Sequence, residues 1–193
     1  MNKRAITLLL CLVSVNWLQG CGALIVGGVA AGASVIHDRR SSGTILDDKT
    51  IQFKIVSSVN SDPDLLQRCS LSATSYNYVV LLTGQAENAS LHDRYVDIAR
   101  NTPMVKRVVD EVQIASPTTA AEETRDAYIT SKVKIQLLDL GIPSFDPSRV
   151  KVVTERNVVY LMGLVTQEEA SAVVEKVRYI DGVEKVVKVF EYI

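Results

Sequence analysis

The sequence predicts an α+β protein: two tandem small domains of αββαβ order behind a cleaved lipoprotein signal peptide and a flexible tether. The supporting observations are a secretion signal that ends at a cysteine, a duplicated set of apolar blocks, and a switch between helical and strand periodicity within each copy. The predicted boundaries are 1–20 for the signal peptide, 21–43 for the acylated tether, 44–115 for the first domain, 116–123 for a linker and 124–193 for the second domain.

The first twenty residues carry the pattern of a secretion signal. Two basic residues precede an apolar run at 5–17, and Leu18-Gln19-Gly20-Cys21 follows. As a helix the run rises only about 20 Å, which is short of the roughly 30 Å of bilayer hydrocarbon, so we expect it to be removed rather than to span a membrane. The four residues resemble the bacterial lipobox, which implies that Cys21 is the lipid attachment site. The alternative is an ordinary signal peptide in which Cys21 is incidental.

The predicted anchor also predicts a location. Each buried methylene contributes about 0.8 kcal/mol, so the acyl chains, palmitate among them, that a lipobox cysteine receives would hold the protein permanently. Gly22 follows the cysteine where an aspartate would favour retention in the inner membrane. The resemblance therefore implies a protein that is lipid-anchored in the outer membrane and faces the periplasm.

Composition argues against several classes of function. The 193 residues carry a net charge of −1 with no basic stripe, so we expect no nucleic acid partner. Cys69 is the one cysteine left after the signal peptide and the acylation site, so it has no intramolecular disulfide partner. We expect it to be a small buried apolar residue, with intermolecular pairing or reactivity as the alternatives.

The second half of the mature chain repeats the first. Matching blocks begin at positions 51 and 129, at 78 and 157, and at 105 and 183, so their spacing stays at 78 or 79 residues. The clearest pair is two short apolar runs that each end in a glycine, Gly84 and Gly163. Because chance similarity rarely holds register across three blocks, we infer a duplication.

Periodicity orders the elements of the second copy. Ile129, Val133, Leu137 and Leu140 recur at helical spacing, and a loop broken by two prolines follows. Two strands are predicted around a turn at 156–157. The residues from Thr166 to Glu169 form a capping box that begins a second helix, and 183–193 reads as the closing strand.

The first copy follows the same order. Its first helix is predicted from residues 51, 55 and 59, and Pro63 is expected to lie in a loop. Strands at 71–76 and 78–83 flank Asn77, Asn88 is the predicted cap of the second helix, and 105–114 is the predicted closing strand.

This order, with a glycine after the second strand and Asp181-Gly182-Val183 before the last one, resembles the BON domain family. The first copy is less typical, since it has Thr102-Pro103-Met104 at the matching turn. Two BON-like domains behind a lipobox resemble the dual BON-domain outer-membrane lipoproteins. The resemblance implies that the second domain binds an anionic phospholipid such as phosphatidylglycerol and supports envelope integrity at division sites.

The sequence offers no constellation for catalysis. His37 and His92 are too few and too scattered for a metal site, and no glycine-rich loop that could cradle phosphate follows a strand. We therefore expect no enzyme activity, no cofactor and no metal, and look for function on surfaces.

The predicted lipid-binding residues are Tyr128, Lys132, Ile135 and Leu138 on the first helix of the second copy. Three of them are apolar but lie off the stripe that the core requires, and the lysine is suited to anionic phosphate at a headgroup boundary. Two alternatives stay open for these residues: they pack against the first domain, or they contact another protein. The alternative function is a protein-interaction adaptor for envelope assembly or cell-wall remodelling, which displays sheet edges and loops to its partner, with lipid serving only as the anchor.

Overall fold

A computed structural model describes residues 38–143 and 145–193. Residues 38–193 form one compact unit that contains both sheets and every hydrophobic cluster among the described residues. The predicted signal peptide, Cys21 and His37 lie outside the described residues.

The first domain holds three helices and four strands. They are α1 (Ser42–Asn60), α2 (Pro63–Arg68), β1 (Cys69–Tyr76), β2 (Val79–Ala86), α3 (Ala89–Arg100), β3 (Arg107–Asp110) and β4 (Gln113–Ile114). Strand β2 is central: it pairs antiparallel with β1 and parallel with β3 and β4.

The second domain repeats this plan in a simpler form. Its elements are α4 (Ala120–Leu138), a 3-10 turn (Pro147–Arg149), β5 (Val150–Glu155), β6 (Val158–Val165), α5 (Gln167–Val177) and β7 (Lys185–Tyr192). Strand β6 is central, antiparallel to β5 and parallel to β7. The predicted order of helix, strand, strand, helix and strand is confirmed in both domains.

Several local expectations differ from the structure. Pro63 does not lie in a loop but begins α2, because proline suits the first turn of a helix and Asp62 caps it. The closing strand of the first domain is split into β3 and β4. Helix α4 begins at Ala120, inside the stretch predicted as a linker, because Thr119 and Glu122 form a capping box there.

The two sheets pack against each other through the faces that their helices leave uncovered. Residues along each central strand alternate between two clusters: Val80 and Leu82 face α1 and α3, whereas Leu81 faces the other domain. In the second domain Tyr160 and Met162 take the corresponding inward positions. The described unit is thus a four-layer sandwich in the order helices, sheet, sheet, helices, and this explains why both central strands contain an uninterrupted apolar run.

The glycines of the duplicated blocks permit close backbone contact. Gly84 has a φ of +111°, and a Cβ added there would collide with the carbonyl oxygen of Ser70. At Gly163 an added Cβ would lie 2.6 Å from the carbonyl oxygen of Arg149. Both central strands continue two residues beyond their glycine, so the glycine lies inside the strand rather than after it.

A buried aspartate from the first helix of each domain holds the hairpin. The Asp126 carboxylate accepts the backbone N–H groups of Arg156 and Asn157 at 2.7 and 2.9 Å, and both turn residues have positive φ. Asp48 accepts the two matching amides of the first hairpin at 2.7 and 2.8 Å. Folding shields these turn amides from water, so the two carboxylates supply the hydrogen-bond acceptors that water would otherwise provide.

Candidate functional site

The outer side of α4 presents large apolar side chains to solvent. Ile129, on the inner side, is buried, whereas Tyr128, Ile135 and Leu138 are 63, 63 and 74% exposed. The helix therefore fills its core with one stripe and leaves a second apolar stripe uncovered. We call the set Tyr128, Lys132, Ile135 and Leu138 the α4 face.

Lys132 is the charged member of the α4 face. Its Nζ donates to the backbone oxygen of Asp181 at 3.0 Å and lies 3.3 Å from an oxygen of that carboxylate. The same Nζ is 5.2 Å from the centre of the Tyr128 ring, a cation–π contact. Because the Asp181 side chain is almost fully exposed, water screens this ion pair, so the lysine remains available to an external anion.

A groove runs between α4 and the end of α5, beside the α4 face. Its volume is about 690 Å³, and Lys132, Ile135, Leu140, Lys176 and Tyr179 contribute to its walls. Tyr179 is 72% exposed and has the guanidinium carbon of Arg178 5.0 Å from its ring centre. The groove therefore combines apolar walls and an exposed aromatic ring with two lysines and two carboxylates, those of Glu175 and Asp181.

The equivalent groove of the first domain is more polar. It lies in the same place, between α1 and the end of α3, and contains Lys54, Ser57 and Asn101. At the duplication spacing of 78 residues, Ser57 corresponds to Ile135 and Asn101 to Tyr179. At these two positions the second copy is apolar or aromatic where the first is polar, although the exposed Phe53 also lines the groove of the first domain.

The α4 face is not covered by the first domain. Domain contact runs through the sheet faces, where Tyr76, Val79 and Leu81 meet Tyr160 and Met162. The alternative in which Tyr128, Ile135 and Leu138 pack against the first domain is therefore wrong. The physical reason is that each sheet has a second apolar face that must also be buried.

The short segment that precedes α1 contacts both domains. Arg39 of this segment donates to both oxygens of Glu169 at 2.6 and 2.9 Å, and Arg40 donates to Asp48 at 2.8 Å. The guanidinium carbon of Arg40 also lies 3.7 Å from the ring centre of Tyr76. Burial by itself would raise the pKa of Glu169, but its hydrogen bonds, from Arg39 above all, outweigh this and lower that pKa.

The sequence found part of this surface. The four predicted lipid-binding residues share one side of α4, while Tyr179 and Lys176, which extend the surface across the groove, were missed. The available signal was the difference between the copies, because Tyr179 replaces Asn101 at a position where a core residue would have been kept apolar in both. The predicted lipid attachment residue, Cys21, lies outside the described residues.

Other classes of site are not apparent in the described part of the chain. Within 38–143 and 145–193 no three metal-binding side chains come together, and no helix has the length and apolar character needed to cross a bilayer. His92 contacts the carboxylates of Asp93 and Asp110, both at 3.0 Å, and these hold its pKa above the usual value.

Comparison with known proteins assigns the family. The BON domain family matches residues 47–116 and 125–193, so the chain belongs to the BON domain family and contains two copies of the domain. It is 36% identical over 92% of its length to the outer membrane lipoprotein DolP of Haemophilus influenzae, and it covers 91% of that protein. It is also 30% identical to a 21 kDa hemolysin of Actinobacillus pleuropneumoniae, with 81% of this chain and 79% of that protein aligned.

A third relative, the osmotically-inducible protein Y of Escherichia coli, is 29% identical, with 81% of this chain and 78% of that protein aligned. The two matched domains and the similarity to DolP make this chain a dual BON-domain outer-membrane lipoprotein. Its role therefore belongs to the cell envelope, and its outer-membrane location agrees with the prediction from the first residues.

Proposed function

We propose that the protein is a non-catalytic envelope lipoprotein whose second BON domain docks on anionic phospholipid through the α4 face. In this proposal the anchor at Cys21 keeps the protein on the membrane, and the second domain recognises the lipid surface, phosphatidylglycerol being a suitable headgroup. Its role would be to support envelope integrity, including at division sites.

The observation that carries the proposal is the asymmetry between two copies of one fold. Both domains have a helix groove at the same place, but Ile135 and Tyr179 of the second domain replace Ser57 and Asn101 of the first. The first helix of each copy carries exposed apolar side chains, but at these two groove positions the second copy is apolar or aromatic where the first is polar. Because exposed apolar side chains cost solubility and are not needed for the core, this difference indicates a surface with a partner.

The chemistry of this surface favours lipid as that partner. Tyrosine is suited to the headgroup boundary, where its ring is half buried and its hydroxyl stays hydrated. Lys132 beside it and Lys176 across the groove are the cations that phosphate groups would meet, and they share the groove with Glu175 and Asp181. Apolar side chains flanked by lysines are the pattern of an element that rests in the membrane interface.

The test is vesicle binding by residues 38–193, which lack the anchor. Tyr128→Glu places a carboxylate where the ring meets lipid, and we expect it to abolish binding to vesicles that contain phosphatidylglycerol. The matched control is Phe53→Glu, because Phe53 is a 73% exposed aromatic residue on the first helix of the first domain. The circular dichroism spectra of both variants should match that of the unmodified chain, because both substitutions lie at exposed positions.

Lipid composition and salt provide a second test of the same proposal. Binding to anionic vesicles should weaken as salt increases, and zwitterionic vesicles should bind poorly, because part of the attraction is electrostatic. Equal binding by the Tyr128→Glu and Phe53→Glu variants would reject the α4 face. If crosslinking in cells instead captured one stoichiometric envelope protein at this face, an adaptor role would replace lipid docking.

A further inference from the structure

A second cleft lies where the two domains meet, on the other side of α4 from the groove described above. Its volume is about 380 Å³, and six residues define what we call the junction cleft: Arg40, Tyr76, Lys134, Ile135, Leu138 and Lys151. Arg40 and Tyr76 belong to the first half of the unit and the other four to the second domain, so the cleft requires the packed pair of domains.

Positive charge exceeds negative charge in the junction cleft. Arg40 is neutralised by Asp38 and Asp48, at 2.7 and 2.8 Å. Lys134 and Lys151 make no hydrogen bond or ion pair with any residue in the described part of the chain, and no aspartate or glutamate lines the cleft. Two ammonium groups therefore face one apolar cleft without a counter-charge.

The excess of positive charge in the junction cleft affects the pKa of Lys151. Its side chain remains open to solvent on the cleft side, yet the surrounding protein lowers the pKa of its ammonium group, first through partial loss of hydration. Repulsion from Lys134, Arg40 and Lys49 lowers that pKa further, and Asp48 opposes the effect only in part. A bound anion would relieve this repulsion.

The apolar part of the cleft is continuous with the α4 face. Ile135 and Leu138 are exposed members of that face and also line the junction cleft. A molecule with an anionic head near the lysines would therefore place its hydrocarbon along Ile135 and Leu138, on the surface proposed to meet the membrane.

We propose that the junction cleft binds the phosphate headgroup of a single anionic phospholipid, with Lys134 and Lys151 on the phosphate and an acyl chain over Ile135 and Leu138. This inference rests on the proposed function and deepens it, because it assigns recognition of one lipid molecule to a site that only the packed pair of domains creates. The α4 face then supplies membrane contact and the cleft supplies headgroup selection.

The experiment uses residues 38–193 and dihexanoyl phosphatidylglycerol at concentrations where it is monomeric. Binding is followed by NMR shifts of the backbone amides and by calorimetry. We expect saturable binding of one lipid, with the largest shifts around Lys151 and Leu138. Removing both charges with Lys134→Gln and Lys151→Gln should weaken binding about 25-fold, from about fivefold for each lysine near a phosphate.

The control carries Lys54→Gln and Lys185→Gln, which remove the same charge from exposed positions outside the cleft. Its affinity should equal that of the unmodified chain. Equal weakening of the cleft and control variants would overturn the inference, as would shifts confined to the groove between α4 and α5. Binding of glycerol 3-phosphate as tight as that of the lipid would also overturn it, because the site would then serve a soluble phosphate.

The same proteins separate this inference from the proposed function. If vesicles bind and respond to Tyr128→Glu while the lipid monomer does not bind saturably, the cleft fails and membrane docking stands. If the monomer binds in the cleft while Tyr128→Glu leaves vesicle binding unchanged, the cleft stands and the α4 face fails.

Discussion

Exchanging Ile135 for its counterpart in the first domain should measure how much the α4 face contributes to membrane binding. Full burial of an isoleucine side chain is worth about 1.5–3 kcal/mol. Because Ile135 is 63% exposed in the folded protein, roughly 1–2 kcal/mol of that remains to be gained on contact with lipid. Ile135→Ser should therefore weaken vesicle binding about tenfold, since 1.4 kcal/mol is a factor of ten.

The assay is cosedimentation of residues 38–193 with phosphatidylglycerol vesicles over a lipid titration. The reverse exchange, Ser57→Ile, is the control, because it adds the same side chain to the polar groove of the first domain. Ile135→Ser lies on an exposed position, so its free energy of unfolding should change by less than about 0.5 kcal/mol. The reasoning is refuted if Ile135→Ser binds vesicles as well as the unmodified chain, or if Ser57→Ile improves binding tenfold.

Three further predictions concern the fold. Asp126→Ala removes two charge-assisted hydrogen bonds to turn amides and should cost about 3 kcal/mol in urea unfolding, whereas the exposed Asp139→Ala should cost little. Gly84→Ala should destabilise by more than about 2 kcal/mol in thermal melts, while Gly141→Ala, which meets open space, should cost only the strain of its positive φ; equal losses would contradict the collision described for Gly84. The lowered pKa of Glu169 means that its contribution to stability is complete above the ordinary value of 4.5 and is lost as pH falls through the lowered value. Glu169→Gln should therefore destabilise at pH 7, and this effect should shrink as pH falls below the ordinary value of 4.5, as measured by urea unfolding at each pH.

Local signals in the sequence were enough to predict the order of the elements. The cap at Asn88 and the capping box at Thr166 are both present in the structure, because a cap depends only on residues within one helical turn. The turn at Arg156 and Asn157 is also where it was predicted, and both residues adopt positive φ. The duplication strengthened each of these assignments by supplying a second copy.

Long-range packing was not predictable in the same way. The apolar runs ending at Gly84 and Gly163 correctly indicated strands, but a continuous apolar run does not say what covers each face of a sheet. The aspartate clamps at Asp48 and Asp126 were likewise missed, although their spacing equals that of the duplication. A charged residue on the inner side of a helix has no local explanation until the hairpin is placed beside it.

The candidate site was predictable only where its residues lie on one helix. Helical periodicity identified Tyr128, Ile135 and Leu138 because all three lie off the core stripe of one helix. Tyr179 follows α5, and only the packing of α5 beside α4 brings it to the same surface. The junction cleft could not be predicted from one helix or one domain, because Arg40 and Lys151 come together only after the two domains pack.

The back-to-back sheets give the molecule two unlike exteriors. Packed layers stand about 10 Å apart, so the outermost helices of the two domains are separated by roughly 30 Å. If the exterior with Ile135 and Tyr179 lies on a bilayer, the exterior with Ser57 and Asn101 points away from it, beyond the headgroups. In that orientation the duplicated domain is a spacer as well as a second copy, because the end opposite the proposed lipid surface stays accessible to water-borne molecules.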